Sequence, residues 1–420
     1  MTQIAKLDTL KIRDITDVLA GRVSDPKIKK NPEFDNHEKV IFAEDPTIGL
    51  KVFIAVHNTN RGYALGGCRY WSRYEEVDND GGLNNAVTDA LRLSRGMTYK
   101  NSIADLPLGG GKTVIVGKKG TKMPSAEIMK ALGDVVQSLN GMYVTAEDVG
   151  TKVEYMLIAS GRTPYVAGLP LDVVAGHNLP EGITANDLPG ADPSPYTAYG
   201  TFVGIKAAVK HKLDKDSVDG LRITVKGYGN VSSTLCDYLH EEGAKLIIAD
   251  IDKSKRDEVI ARYGEGVWLD DHEQIMAQPA DVYVPAALGA DINDVTIPVL
   301  EKAGVKVIAG CANNQLAEPR HGQVLREKGI LYAPDYLINS GGVIAAGLQY
   351  DWTREMDPAK FPTHEAIKER VGDIYDALMT IFRRAKVENK CTAVVADEIA
   401  REGFAEKKYQ PGDSLLSVGM

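Results

Sequence analysis

The 420-residue sequence predicts an α/β protein of two domains: an N-terminal α/β domain and a Rossmann-type, doubly wound domain. Three observations carry that expectation. The chain is longer than one ordinary core sustains. From Leu221 onward, strand-like runs alternate with helical or turn segments, the pattern of parallel strands joined by right-handed crossovers. Within that region Gly227-Tyr-Gly229 sits between a β-branched run and an amphipathic one, as a dinucleotide-binding turn does.

In chain order, residues 40–45 (VIFAED) and 48–58 (IGLKVFIAVHN) read as strands. Residues 84–97 and 125–139 place apolar residues on one helical face, with Ser125 suited to cap the second. Residues 105–117 (DLPLGGGKTVIVG) invite a P-loop reading, which the spacing rejects. The first glycine that motif requires falls on Leu106. Residues 113–116 read as a strand where the motif needs a helix.

Residues 168–195 are rich in Gly, Pro, Asn and Asp, a long loop or hinge, after which residues 193–200 open a helix. Strands are then expected at 222–226, 245–250, 267–269, 281–286, 305–310 and 330–335, and a helix over 364–387. The resulting division is 1–192, 193–345 and 346–420, the last mostly helical.

The chain is 44% hydrophobic and 25% charged, ordinary for a globular protein. A net charge of −9 weighs against nucleic acid as a partner. No early apolar run resembles a signal peptide, and none is long enough to span a membrane. A cytoplasmic protein without a membrane partner is therefore expected. Cys68, Cys236, Cys311 and Cys391 form no C-x-x-C pair, so reduced thiols are expected, with no metal site.

The turn at Gly227 permits a tight bend, and Gly229 lets a pyrophosphate approach the helix N-terminus. Asp250 ends the next expected strand, where a carboxylate receives ribose hydroxyls and disfavours a 2′-phosphate; NAD is thus preferred to NADP, although Lys253, Lys255 and Arg256 follow closely. The third glycine position holds Ser232. Asn313 and Asn314 follow an expected strand at the edge where doubly wound sheets bind ligands. Lys112 stands out in the N-terminal half because glycines leave no side chain to shield it. Burial disfavours an ammonium, so a lysine seated this way can serve as a base near neutral pH.

Segments 65–71 (LGGCRYW), 90–101, 108–117, 143–150 (YVTAEDVG), 193–200, 226–235, 309–316 (AGCANNQL) and 332–344 resemble, in the same order, the leucine/phenylalanine/valine dehydrogenases of the glutamate dehydrogenase superfamily. The resemblance runs from about residue 38 to about 404. It implies an N-terminal catalytic domain, a second, NAD-binding domain and C-terminal helices (346–420) returning to the first. With them it implies reversible oxidative deamination of an L-amino acid to a 2-oxo acid and ammonium, with substrate in a cleft between domains. Carried over by motif, it implies that Lys100 binds the substrate carboxylate with the Gly66 and Gly67 backbone. Lys112 would activate water, and Asp148 would shuttle a proton to and from the substrate nitrogen. Thr197, Gly227, Gly229, Asn230, Val231, Asp250, Asn313 and Asn314 would hold the cofactor. Leu65, Ala146, Val343 and Ala346 would line the side-chain pocket.

A branched-chain aliphatic substrate is favoured, but alanine at 346 leaves room for a phenylalanine- or tryptophan-type one. A homo-oligomer is implied, without a subunit number. Residues 75–84 and 168–192 exceed the family pattern. Two rival readings fit the chain less well. A 2-hydroxy-acid dehydrogenase needs a histidine–carboxylate pair, which none of the eight histidines forms recognisably; His177 and His321 read as surface or capping residues. A non-catalytic NAD-binding sensor would have lost some of Lys100, Lys112 and Asp148, and all three stand.

Overall fold

The computed structural model describes residues 9–74, 82–171, 173, 189–190, 192–355 and 361–406. These form two units, one drawn from Met1–Ala191, Ala346–Thr363 and Arg401–Met420, the other from Asp192–Ala345 and His364–Ala400.

The first unit is built on six strands: β1 (Lys11–Asp14), β2 (Lys39–Asp45), β3 (Leu50–Asn58), β4 (Ala64–Trp71), β5 (Gly109–Val116) and β6 (Tyr143–Glu147). Their order is β1-β2-β3-β5-β4-β6. Strands β1, β2, β3 and β5 pair antiparallel, whereas β4 runs parallel to both β5 and β6. Helices α1 (Thr16–Leu19), α2 (Leu83–Ile103), α3 (Ala126–Ser138) and α4 (Val153–Ser160) complete its N-terminal part. As expected, Ser125 caps α3, its hydroxyl accepting the Ile128 N–H at 3.3 Å.

Strand β5 is buried at all eight positions, because side chains alternate across a sheet covered on both faces. Val114 and Val116 pack with Val87 and Leu91 of α2. Ile115 packs with Leu132 and Val136 of α3 on the opposite face. The strand starts four residues before the expected 113–116, taking in all three glycines. Glycine is normally poor in a strand, yet each of these is required by a neighbour. A Cβ would stand 2.2 Å from the Asn58 carbonyl oxygen at Gly109, 2.1 Å from the Thr98 nitrogen at Gly110, and 2.5 Å from the Tyr143 ring at Gly111.

The second unit carries α5 (Ser194–Leu213), β7 (Arg222–Lys226), α6 (Asn230–Glu241), β8 (Lys245–Ala249), α7 (Arg256–Tyr263), β9 (Val282–Pro285), α8 (Thr296–Lys302), β10 (Val307–Ile308), α9 (Arg320–Glu327) and β11 (Leu331–Tyr332). Its five parallel strands lie in the order β11-β10-β9-β7-β8, so the chain reverses direction across the sheet at β7. Doubly wound sheets bind ligands outside the carboxyl ends of the strands at that reversal. The expected strand at 267–269 is reduced to a single bridge between Ile248 and Trp268.

Helices α10 (Asp335–Ile338), α11 (Gly341–Glu355), α12 (His364–Gly372), α13 (Ile374–Glu388) and α14 (Thr392–Phe404) follow. The single helix expected over 364–387 breaks after Gly372, a weak helix former. The third segment, expected to return whole to the first domain, also divides differently: His364–Ala400 belongs with the second unit. Small residues on α5 explain it. A Cβ on Gly204 would lie 2.4 Å from Ile338 and 2.9 Å from Leu378, and one on Gly200 would lie 2.7 Å from Ile374.

Candidate active site

Lys112 projects from β5 and its Nζ donates to Asp148 Oδ2 at 2.7 Å. The lysine is only 6% exposed. Asp148 directly follows β6, and Gly66 and Gly67 of β4 lie in register with Thr145 and Ala146 of that strand. The glycines make room for the pair. A Cβ at Gly67 would stand 2.7 Å from Asp148 Cβ and 3.3 Å from Lys112 Nζ, and one at Gly66 would meet the Gly111 carbonyl oxygen at 1.7 Å. Tyr143 locks the floor from below: its hydroxyl donates to the Gly66 carbonyl at 2.8 Å and accepts from Thr113 Oγ1 at 3.0 Å.

A second cation reaches the carboxylate. Arg69, on β4, makes no well-aligned hydrogen bond through its buried Nε among the described residues; that atom lies 3.4 Å from Asp148 Oδ2. Burial works to raise the Asp148 carboxyl, but the charges of Lys112 and Arg69 outweigh it and hold the group below the usual carboxylate range. Cys68, between Gly67 and Arg69, is fully buried and its thiol is pushed up by that burial, so it stays protonated. Its carbonyl accepts the Thr151 hydroxyl, and the Thr151 hydroxyl accepts the Asp148 N–H, which ties the turn after β6 to β4.

Lys100 lies in the last turn of α2, half-buried. That helix crosses β5 closely at Gly110, and Asn101 Nδ2 donates to the Gly109 carbonyl at 2.6 Å. Leu65 is buried on β4 and Ala146 half-buried on β6. Val343 and Ala346 are three residues apart on α11, both half-buried, with Val343 assigned to the second unit and Ala346 to the first.

In the second unit, the loop between β7 and α6 opens on a pocket of about 310 Å³. Gly229, Asn230, Val231, Ala286, Cys311 and Asn313 are among its lining residues. Gly227 has φ +107°, and a Cβ there would meet Ala287 at 2.9 Å; at Gly229 a Cβ would meet nothing within 4 Å, so that backbone faces open space. Asp250 follows β8. Its Oδ2 accepts the Tyr228 N–H at 2.6 Å and Lys255 Nζ at 3.2 Å, and its Oδ1 accepts the Asp252 N–H at 2.8 Å. These donors overcome burial and hold the carboxyl low. Ser232, in the third glycine position, is buried, and its hydroxyl accepts the Gly229 N–H at 2.8 Å.

Thr197 lies on α5 against Gly342, where a Cβ would be 2.7 Å from its Oγ1. Asn313 and Asn314 are exposed. Asn339, which the sequence analysis did not single out, donates through Nδ2 to the Cys311 carbonyl at 3.1 Å and to Asn313 Oδ1 at 2.8 Å. Its own Oδ1 is buried and has no partner among the described residues. A buried acceptor left open beside a pocket invites a ligand donor. An open glycine, backbone at a helix N-terminus and one buried open acceptor are the chemistry that suits a dinucleotide cofactor.

His321 is buried rather than on the surface, and its Nδ1 accepts the Glu318 N–H at 3.0 Å. The proton therefore sits on Nε2, 3.4 Å from Asp294, whose carboxylate and that of Glu318 are already held by Arg320. That arrangement does not suit a metal ion, although the three side chains converge. His177 lies outside the described residues.

Residues 37–165 match the family model described as Glu/Leu/Phe/Val dehydrogenase, dimerisation domain, and residues 247–405 match that of glutamate/leucine/phenylalanine/valine dehydrogenase. A leucine dehydrogenase of Geobacillus stearothermophilus is 45% identical over 376 residues, 89% of this chain and 92% of its own. A phenylalanine dehydrogenase of Thermoactinomyces intermedius is 38% identical, over 87% of this chain and 91% of its own. The crystal structure of an L-tryptophan dehydrogenase from Nostoc punctiforme superposes with a TM-score of 0.70 at 34% identity, covering 88% of this chain and 96% of that one.

Proposed function

Because the chain belongs to the glutamate/leucine/phenylalanine/valine dehydrogenase family, we propose that it reversibly deaminates a branched-chain aliphatic L-amino acid, leucine foremost, using NAD. The products are the 2-oxo acid, ammonium and NADH. The observation that carries this reading is the Lys112–Asp148 pair at 2.7 Å on a floor of glycine backbone. Bound NAD supplies the hydride acceptor. Lys112 activates water for attack on the substrate carbon and stabilises the oxygen charge that follows, while Asp148 takes and returns a proton at the substrate nitrogen. A buried lysine and carboxylate in direct contact exchange acid and base roles readily. Lys100 and the Gly66–Gly67 backbone receive the substrate carboxylate, and Leu65, Ala146 and Ala346 contact its side chain.

Asp250 favours NAD over NADP, since its charge repels a 2′-phosphate beside the turn. Asn339 Oδ1, without a partner among the described residues, suits the amide donor of a nicotinamide. The N-terminal family model is described as a dimerisation domain, which supports a homo-oligomer. Among the described residues no helix is long and apolar enough to cross a membrane, in keeping with a cytoplasmic enzyme.

A second reading, an aromatic substrate, draws on the small side chain of Ala346 and on the phenylalanine and tryptophan dehydrogenases among the relatives. One methylene in an apolar pocket changes discrimination by about 1–3 kcal/mol, so the two readings separate only by measurement. NADH formation over a panel of L-amino acids, with NAD and then NADP, tests both. Highest kcat/KM with leucine, valine or isoleucine supports the aliphatic reading. Highest values with phenylalanine or tryptophan replace it, and silence across the panel rejects amino-acid dehydrogenation.

A further inference from the structure

Asp148 Oδ2 serves two cations, and only one of them belongs to the proposed chemistry. Lys112 approaches it at 2.7 Å and Arg69 Nε at 3.4 Å. Arg69 is itself held from the far side. Its Nη1 donates to Asp89 Oδ2 of α2 at 3.1 Å, and the same oxygen accepts the Tyr74 hydroxyl. A guanidinium is planar and forked, so it can face two carboxylates at once, which a lysine ammonium on a flexible stem does poorly. The row Tyr74–Asp89–Arg69–Asp148–Lys112 thus runs from α2 across β4 to the catalytic pair.

We propose that Arg69 is a positioning residue: anchored by Asp89 and Tyr74, its guanidinium holds Asp148 Oδ2 against Lys112 and shares the charge on that oxygen. The inference rests on the reading of Asp148 as the group that handles the substrate proton. The charged and titratable groups facing Asp148 are Lys112 of β5, Arg69 and Cys68 of β4, and Tyr143 of β6; those facing Arg69 are Asp89, Tyr74 and Asp148. Two cations oppose burial at Asp148. With one removed, the carboxylate takes a proton at a higher pH, and the fraction able to accept the substrate proton falls on the acid side. An opposite charge at this range moves a carboxyl by one unit or more.

The test is the pH dependence of kcat/KM for deamination in the wild type, Arg69→Gln, Arg69→Lys and Asp89→Asn, with NADH binding followed by fluorescence in each. The acid limb should move up by about one pH unit in Arg69→Gln. The shift should be smaller in Asp89→Asn, which loosens the anchor, and in Arg69→Lys, which keeps the charge and confirms that the fold tolerates change there. An Arg69→Gln profile with the wild-type acid limb, or one lowered equally at every pH, overturns the proposal while leaving Asp148 in its role. Asp148→Asn separates the two: it should bind NADH and lose turnover, and full turnover in it would overturn the reading on which the proposal stands.

Discussion

A Cβ added to Gly67 would stand 2.7 Å from the Cβ of Asp148, so the side chain that Gly67 lacks leaves the room in which the stem of Asp148 sits. The Glu147 carbonyl, 2.8 Å from the same point, closes off a second direction of escape. Gly67→Ala should therefore push Asp148 away from Lys112. A displacement of about 1 Å in a catalytic group costs on the order of 100-fold in rate. Steady-state kinetics should show that loss in kcat with NADH affinity kept; a variant with unchanged kcat would show that the floor tolerates a methyl.

Lys112→Ala removes the proposed activator of water and leaves the second unit untouched. Turnover should fall by roughly 1,000-fold or more, within the range for losing a general acid–base group. NADH titration should give the wild-type Kd. Turnover near the wild-type rate would remove Lys112 from the chemistry.

Gly227→Ala asks an L-residue to hold φ +107° with its Cβ 2.9 Å from Ala287. Strain of this kind costs about 1–3 kcal/mol. Much of it should emerge as weaker NADH binding, since the bend sets the approach to the helix N-terminus. Calorimetric titration should find at least a tenfold rise in Kd, with kcat at saturating cofactor changed far less.

His37 and His57 give the first unit an acid-sensitive core. Their rings meet edge to face at 4.9 Å, and His57 bonds Thr98 while His37 bonds Ser94, both on α2. Burial pulls both imidazoles down to about 4, with Asp35 favouring the charged form of each and Arg95 opposing it. In the unfolded chain they titrate near the ordinary value of about 6.5. Unfolding thus takes up protons between these values. The neutral pair contributes stability above about pH 6.5 that is lost as pH falls toward 4. Urea midpoints measured at pH 7, 6 and 5 should decline, and His57→Gln should flatten the decline; identical slopes in both proteins would discount the pair.

Much of this architecture was readable because it is local. The bend at Gly227, the cap at Ser125 and the acid at Asp250 each depend on residues within about one strand–turn–helix unit. Lys112 stood out because its glycine neighbours are adjacent in sequence. What the sequence hid is what crosses strands. Arg69 finds Asp148 through pairing of β4 with β6, and Asn339 finds Asn313 from 26 residues away. Neither carries a spacing signal, although the arginine two positions past Gly67 could have been asked which carboxylate it serves. The glycines of β5 hid the start of the strand, because glycine is a poor strand former in general and is here required by close packing.

Those three glycines also set the order in which the enzyme can become active. Glycine loses more backbone freedom on ordering than any other residue, and Gly109, Gly110 and Gly111 are each shaped to a different partner: β3, α2 and Tyr143 of β6. The segment carrying Lys112 has little reason to hold its form until all three partners are in place. Lys112 therefore reaches its place beside Asp148 late in assembly. After dilution from denaturant, helical signal and hydrophobic collapse should return before catalytic activity does.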